Sequence, residues 1–117
     1  MLSSSPPGPH NGLVTQSRPW LRGTVLTLRG ELDLYSADDL RTALDAALEP
    51  PGTVVVIDCA ELRFCDSSGL DALLRAQAGA AASGSRIELA RIRPMILRML
   101  ELAGVAQDFR IQETLPC

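Results

Sequence analysis

The sequence predicts an α/β fold: a mixed, mostly parallel sheet of four to five strands with helices packed on it. Two observations carry that expectation. Short runs of β-branched and aliphatic residues alternate with longer stretches whose apolar residues recur at helical spacing. The resulting order, strand–helix–strand–helix–strand–helix, is the one that builds a largely parallel sheet with helices on its faces. At 117 residues the chain has room for one domain and one core.

The elements follow in order. Residues 1–12 are rich in Pro, Gly and Ser and show no periodicity, so they read as a disordered N-terminal tail that holds the only histidine, His10. A domain then runs over 13–117. A short strand is expected over Leu13–Ser17, and a clearer one over Thr24–Arg29, where Leu26 and Leu28 alternate with Val25 and Thr27. Gly30 is read as the end of that strand, with Glu31–Tyr35 leading to a helix. Ser36 and Asp39 have capping-box spacing, and Leu40, Ala43, Leu44, Ala47 and Leu48 repeat down one face until Pro50-Pro51-Gly52 stops the helix.

Thr53–Ile57 is a β-branched run without alternation, the pattern of a strand covered on both faces. Asp58–Asp66 is read as a connecting segment in which Leu62 and Phe64 point inward. A second helix is expected from Ser68 to Ala82, with Leu70, Leu73 and Leu74 on its buried side. Ser83-Gly84-Ser85 forms a turn, and Arg86–Leu89 a short strand. Pro94 suits the first turn of a third helix, Ile96, Leu97, Leu100 and Ala103 form its stripe, and Gly104 ends it. Phe109–Ile111 is a last short strand or a helical turn.

Composition closes several functional routes. Aromatic residues make up 3% of the chain, so the core is aliphatic. The net charge of −3 offers no electrostatic footprint for nucleic acid, and no basic run marks an anionic membrane surface. All basic residues are arginine, which excludes a P-loop lysine, a Schiff-base lysine and a lysine general base. One histidine leaves no Ser-His or Cys-His pair, so the chain is not expected to be an enzyme. Cys59, Cys65 and Cys117 are odd in number and form no C-x-x-C, which suggests neither a disulfide framework nor a zinc cluster. Cys65 is expected to be a buried, inert thiol. The absence of a signal-like h-region and of any bilayer-length apolar stretch gives a cytoplasmic location as the expectation, with no cofactor.

Two loops carry the functional signal. Gly30-Glu31-Leu32-Asp33 follows one strand, and Cys65-Asp66-Ser67-Ser68-Gly69-Leu70 leads into the second helix. Right-handed crossovers bring successive parallel strands together, so Asp33 and the Asp66–Ser67 pair are expected on one rim at the carboxyl ends of the strands. Ser68 and Asp71 have capping-box spacing, which would commit Ser68 to its own helix and leave the Ser67 hydroxyl exposed just outside it. A phosphate on Ser67 would sit at a helix N-terminus yet meet like charge from Asp66 and Asp33, enough to spoil docking without unfolding the domain.

The run Leu62-Arg63-Phe64-Cys65-Asp66-Ser67-Ser68-Gly69-Leu70 resembles the signature of STAS domains, specifically the bacterial anti-sigma factor antagonists. The resemblance extends to Gly30-Glu31-Leu32-Asp33 with Ser36-Ala37, to Val54–Asp58, and to Ile92-Arg93-Pro94 with Leu100–Gly104, and so covers roughly residues 13–112. It implies a STAS-type fold and binding to an anti-sigma factor serine kinase while Ser67 is unmodified, which frees a sigma factor. Phosphorylation of Ser67 would reverse this, and a serine phosphatase would reset it. Asp33, Asp66, Ser68 and Gly69 would then lie close to the partner and its nucleotide. Asp71 and Cys65 depart from the family pattern, and Asp71 stands where partner choice could be altered. The alternatives are a STAS scaffold in a sensory assembly and a nucleotide-binding STAS domain.

Overall fold

A computed structural model describes residues 12–116. The expected tail lies outside the described residues except for Gly12, whose carbonyl accepts a hydrogen bond from the Glu31 amide at 3.1 Å. Strands β1 (Leu13–Trp20) and β2 (Gly23–Leu32) form an antiparallel hairpin around Leu21-Arg22, with Leu13 opposite Gly30 and Trp20 opposite Gly23. Helix α1 (Ala37–Ala47) returns the chain to β3 (Val54–Cys65), and α2 (Ser67–Ala82) returns it to β4 (Arg86–Ala90). Helix α3 (Pro94–Leu102) and a 3-10 turn (Ala106–Asp108) then lead to β5 (Arg110–Gln112). The expected α/β class and mixed, mostly parallel sheet are present: β2 through β5 run parallel and only β1 is antiparallel.

The strand order is β1-β2-β3-β4-β5, sequential across the sheet. Right-handed crossovers that always step the same way put every connecting helix on one face. The packing agrees. Leu40 and Leu44 of α1, Leu70 and Leu73 of α2, and Ile96 and Leu100 of α3 share one core with Leu26, Leu28, Val55, Ile57, Ile87 and Leu89 of the strands. The opposite face carries a smaller patch, Val25, Val54, Val56 and Ala90, covered by Trp20 and by Leu115 of the C-terminal segment. Trp20 Nε1 donates to the Val54 carbonyl at 3.2 Å. Asp58, buried on this side, holds Arg91 through two hydrogen bonds of 3.0 and 2.7 Å, so its charge is paired where water is scarce.

Several local expectations are corrected. Gly30 does not end its strand. It sits at φ +106 within β2, and a Cβ there would meet the Gly12 carbonyl oxygen at 2.4 Å, so only glycine fits. Asp58–Asp66 is not a connecting segment, because β3 continues to Cys65. Two register shifts interrupt the β2–β3 ladder, between Thr27 and Arg29 and between Gly30 and Glu31, and at each β3 carries one residue more than β2. These bulges reset which residues face the core. Cys59, Leu62 and Cys65 all turn toward the helices at a spacing of three, and Phe64 turns outward, 47% exposed, rather than inward. Ser36 forms no capping box: its hydroxyl donates to the Glu31 carbonyl and lies against Asp33. Ala103, assigned to the α3 stripe, is exposed one residue past the helix.

Candidate functional site

The two loops singled out in the sequence meet at the carboxyl ends of β2 and β3. The last ladder pair is Leu32 with Cys65, and the Asp66 amide continues it by donating to the Leu32 carbonyl at 3.1 Å. Asp33 and Asp66 therefore follow neighbouring positions on adjacent parallel strands. Gly69 makes the approach possible. It is buried, and a Cβ on it would lie 2.5 Å from Leu32 Cγ and 2.8 Å from the Leu32 carbonyl oxygen. Glycine at this position lets the first turn of α2 press against the end of β2.

Asp33 is a turn residue first. One carboxylate oxygen accepts from the amides of Tyr35 at 2.9 Å and Ser36 at 3.0 Å, an Asx turn that starts α1. Its own amide donates to the Ser36 hydroxyl at 2.9 Å, and the residue is only 9% exposed. The site thus includes Asp33 on the rim, with one oxygen already committed to the fold.

At the start of α2 the cap is Asp66, not Ser68. Asp66 has extended dihedrals, and its side chain accepts from the Gly69 amide at 3.0 Å while its carbonyl accepts from Leu70 at 2.9 Å. Ser67 is accordingly the first residue of the helix instead of a residue outside it. Its side chain is exposed, Ser68 is half-buried, and neither hydroxyl makes a hydrogen bond among the described residues. Asp66 takes the amides of Gly69 and Leu70, so the two earliest N–H groups of the helix, on Ser67 and Ser68, are left for an outside acceptor.

The rim is ringed by exposed apolar side chains that sequence reasoning missed: Leu34 at 68% and Tyr35 at 73% in the β2–α1 loop, and Phe64 at 47% beside Cys65. Only the bulges could have signalled Phe64, since strict alternation sends it inward. Cys65 is buried, and burial, with Asp66 adding to it, pushes its thiol up to about 12. A thiol so far from ionising is a poor redox sensor, in line with an inert role. Among the described residues, no three His, Cys, Asp or Glu side chains are grouped to hold a metal ion, and no helix is long and apolar enough to cross a membrane.

A family model described as "Mlab, STAS domain" matches residues 21–113. An anti-sigma F factor antagonist of Paenibacillus polymyxa is 28% identical over 82 residues, 69% of this chain and 70% of that protein. An anti-sigma factor antagonist from Mycobacterium paratuberculosis is similar in structure, with a TM-score of 0.77, 25% identity, and coverage of 88% of this chain and 87% of that one. The Bacillus cell fate determinant SpoIIAA in its phosphorylated form shares the fold, with a TM-score of 0.66 at 23% identity over 86% of this chain and 92% of that one. The matched span takes in β2 through β5 and all three helices, and the chain belongs to the STAS domain family.

Proposed function

We propose that this chain is an anti-sigma factor antagonist controlled by phosphorylation at Ser67. In its unmodified state it binds an anti-sigma factor serine kinase through the rim at the ends of β2 and β3, and so releases a sigma factor. Transfer of phosphate from ATP to the Ser67 hydroxyl ends the binding, and a serine phosphatase restores it. The observation that carries this is the exposed, unbonded Ser67 hydroxyl at the first position of α2, beside the capping Asp66. Kinship adds support: relatives are named for antagonism of anti-sigma factors and not for a catalysed reaction, and SpoIIAA, of the same fold, has been solved phosphorylated. A cytoplasmic location follows from partners of this kind.

The physical logic is local. Phosphate adds about −1.5 to −2 charge next to Asp66 and near Asp33. The free amides of Ser67 and Ser68 and the helix dipole tolerate that charge, so α2 stays folded. A partner surface matched to the neutral hydroxyl and to the apolar ring of Leu34, Tyr35 and Phe64 does not, because docking would strip water from a dianion.

The test uses candidate anti-sigma factor kinases of the source organism, ATP, and peptide mapping of the product. Label is expected on Ser67 and lost in Ser67→Ala, whereas a Ser67→Ala protein labelled as strongly as wild type overturns the proposal. Ser67→Asp is expected to weaken kinase binding at least tenfold, ~1.4 kcal/mol. Its stability should stay within ~0.5 kcal/mol of wild type, as for other surface positions.

A further inference from the structure

The β3–β4 ladder stops with Asp58 opposite Ala90, yet β3 runs on to Cys65. Past that point, among the described residues, β2 alone pairs with it. The first bulge falls at this place: two β3 residues, Cys59 and Ala60, oppose the single β2 residue Leu28. Side chains replace the missing strand. The Ala60 amide donates to Asp58 Oδ1 at 3.2 Å, and the Ala60 carbonyl accepts from Arg93 Nε at 3.0 Å. Asp58 is gripped in turn by Arg91, whose Nε and Nη2 donate to Oδ1 at 3.0 Å and Oδ2 at 2.7 Å. Both backbone polar groups of the bulged residue are therefore satisfied by this clamp.

Arg91 keeps its grip against its own backbone preference. Its φ of +55 lies in the left-handed region, where no other described residue except glycine is found. Its amide is fixed there by the Gln112 carbonyl at 2.9 Å. Glycine would take this turn without strain, but it would leave the buried Asp58 carboxylate with no cation. A strained residue held by its surroundings points to a demand elsewhere, and the demand lies up the strand. The bulge sets the register of all that follows. If Ala60 slipped back into the ladder, Phe64 and not Cys65 would stand opposite Leu32, in the inward place that Cys65 fills. Ser67 would then stand one residue, about 3.3 Å, farther off the sheet.

We infer that Asp58, Arg91 and Arg93 are positioning residues for partner recognition: by fixing Ala60 they hold Phe64 outward and Ser67 at the rim, acting through the strand and not by contact with the partner. The inference rests on the partner-switching function proposed above and deepens it.

The experiment follows amide hydrogen exchange by NMR in the full chain, and measures affinity for the kinase that labels Ser67 by titration calorimetry. Arg93→Ala removes one hook from an exposed position. Asp58→Asn/Arg91→Gly removes the grip while relieving the backbone strain and leaving no buried charge unpaired, so both variants are expected to keep the wild-type melting temperature. In each, the hydrogen-bonded amides of Ala60 and Asp66 should exchange about tenfold faster, with those of Val54–Ile57 unchanged. Kinase binding should weaken about tenfold. Arg93→Lys, which can still donate to the Ala60 carbonyl, should return both readings to within about twofold of wild type. Phe64→Ala is expected to weaken binding of the wild type but to add less than about twofold in the clamp variants, because their loss already acts through Phe64. Full additivity would mean that the arginines touch the partner directly, and it overturns the positioning role. Unchanged exchange at Ala60 and Asp66, or faster exchange with unchanged binding, overturns it as well and leaves the Ser67 switch standing. If no kinase labels Ser67, both fall.

Discussion

Gly69 is where the first turn of α2 comes closest to the end of β2. With Leu32 Cγ and the Leu32 carbonyl oxygen both within 2.8 Å of where its Cβ would stand, a methyl group has nowhere to go unless α2 moves away from β2. Gly69→Ala is therefore expected to destabilise the fold by ~1–3 kcal/mol, as overpacking does, despite the better helix propensity of alanine. Urea denaturation checks this, and a stability equal to or above wild type would mean that the rim is not held by this contact. Asp66 and Ser36 show why caps were harder to foresee. Spacing pointed to Ser68 and Ser36 as side-chain caps. The Asp66 carboxylate instead reaches the Gly69 amide, while the Ser36 hydroxyl finds a partner in the Glu31 carbonyl, five residues back. Spacing sees residues three apart, whereas a cap is decided by whichever acceptor the preceding strand leaves in reach.

Among the elements, the helices were legible because their apolar residues keep a single period. Leu40 and Leu44 in α1, and Leu70 and Leu73 in α2, are buried as their spacing demanded. Leu73, 4% exposed in the main core, should cost ~2–5 kcal/mol when truncated to Ala, a loss that chemical denaturation at constant m-value would register. Unchanged stability would place that face of α2 toward solvent. The second half of β3 was not legible, and the reason is specific. Its inward residues, Cys59, Leu62 and Cys65, stand three apart because two bulges each add a residue, so the alternation by which strands are recognised is absent. The same bulges carry Phe64 outward to the rim. Irregularity in the strand and exposure at the candidate site thus have one cause. Ser67, Asp66 and Asp33 could be placed together from topology alone, because sequential parallel strands bring their following loops side by side.

For the molecule as a whole, the single-faced helix layer sets where ionisation matters. Cys59 and Cys65 lie within the main core, and burial pushes both thiols up to about 12 from an ordinary 9.0, with Asp58 and Asp66 respectively adding to the shift. Because the folded values are raised, the unfolded chain loses these protons first. Stability is complete below about pH 9 and falls as pH rises toward 12. Between about pH 8 and pH 10 the wild type should lose more stability than a Cys59→Ala/Cys65→Ala double variant; parallel losses would assign the effect to other groups.

The cover over Val25, Val54, Val56 and Ala90 has a practical corollary. Trp20 is the sole indole in the chain; it ends the first strand, donates to the third, and packs on the same apolar patch as Leu115 of the closing segment. Its emission is in effect a native optical gauge of whether the side of the sheet away from the helices keeps its apolar cover, readable without any label or added dye.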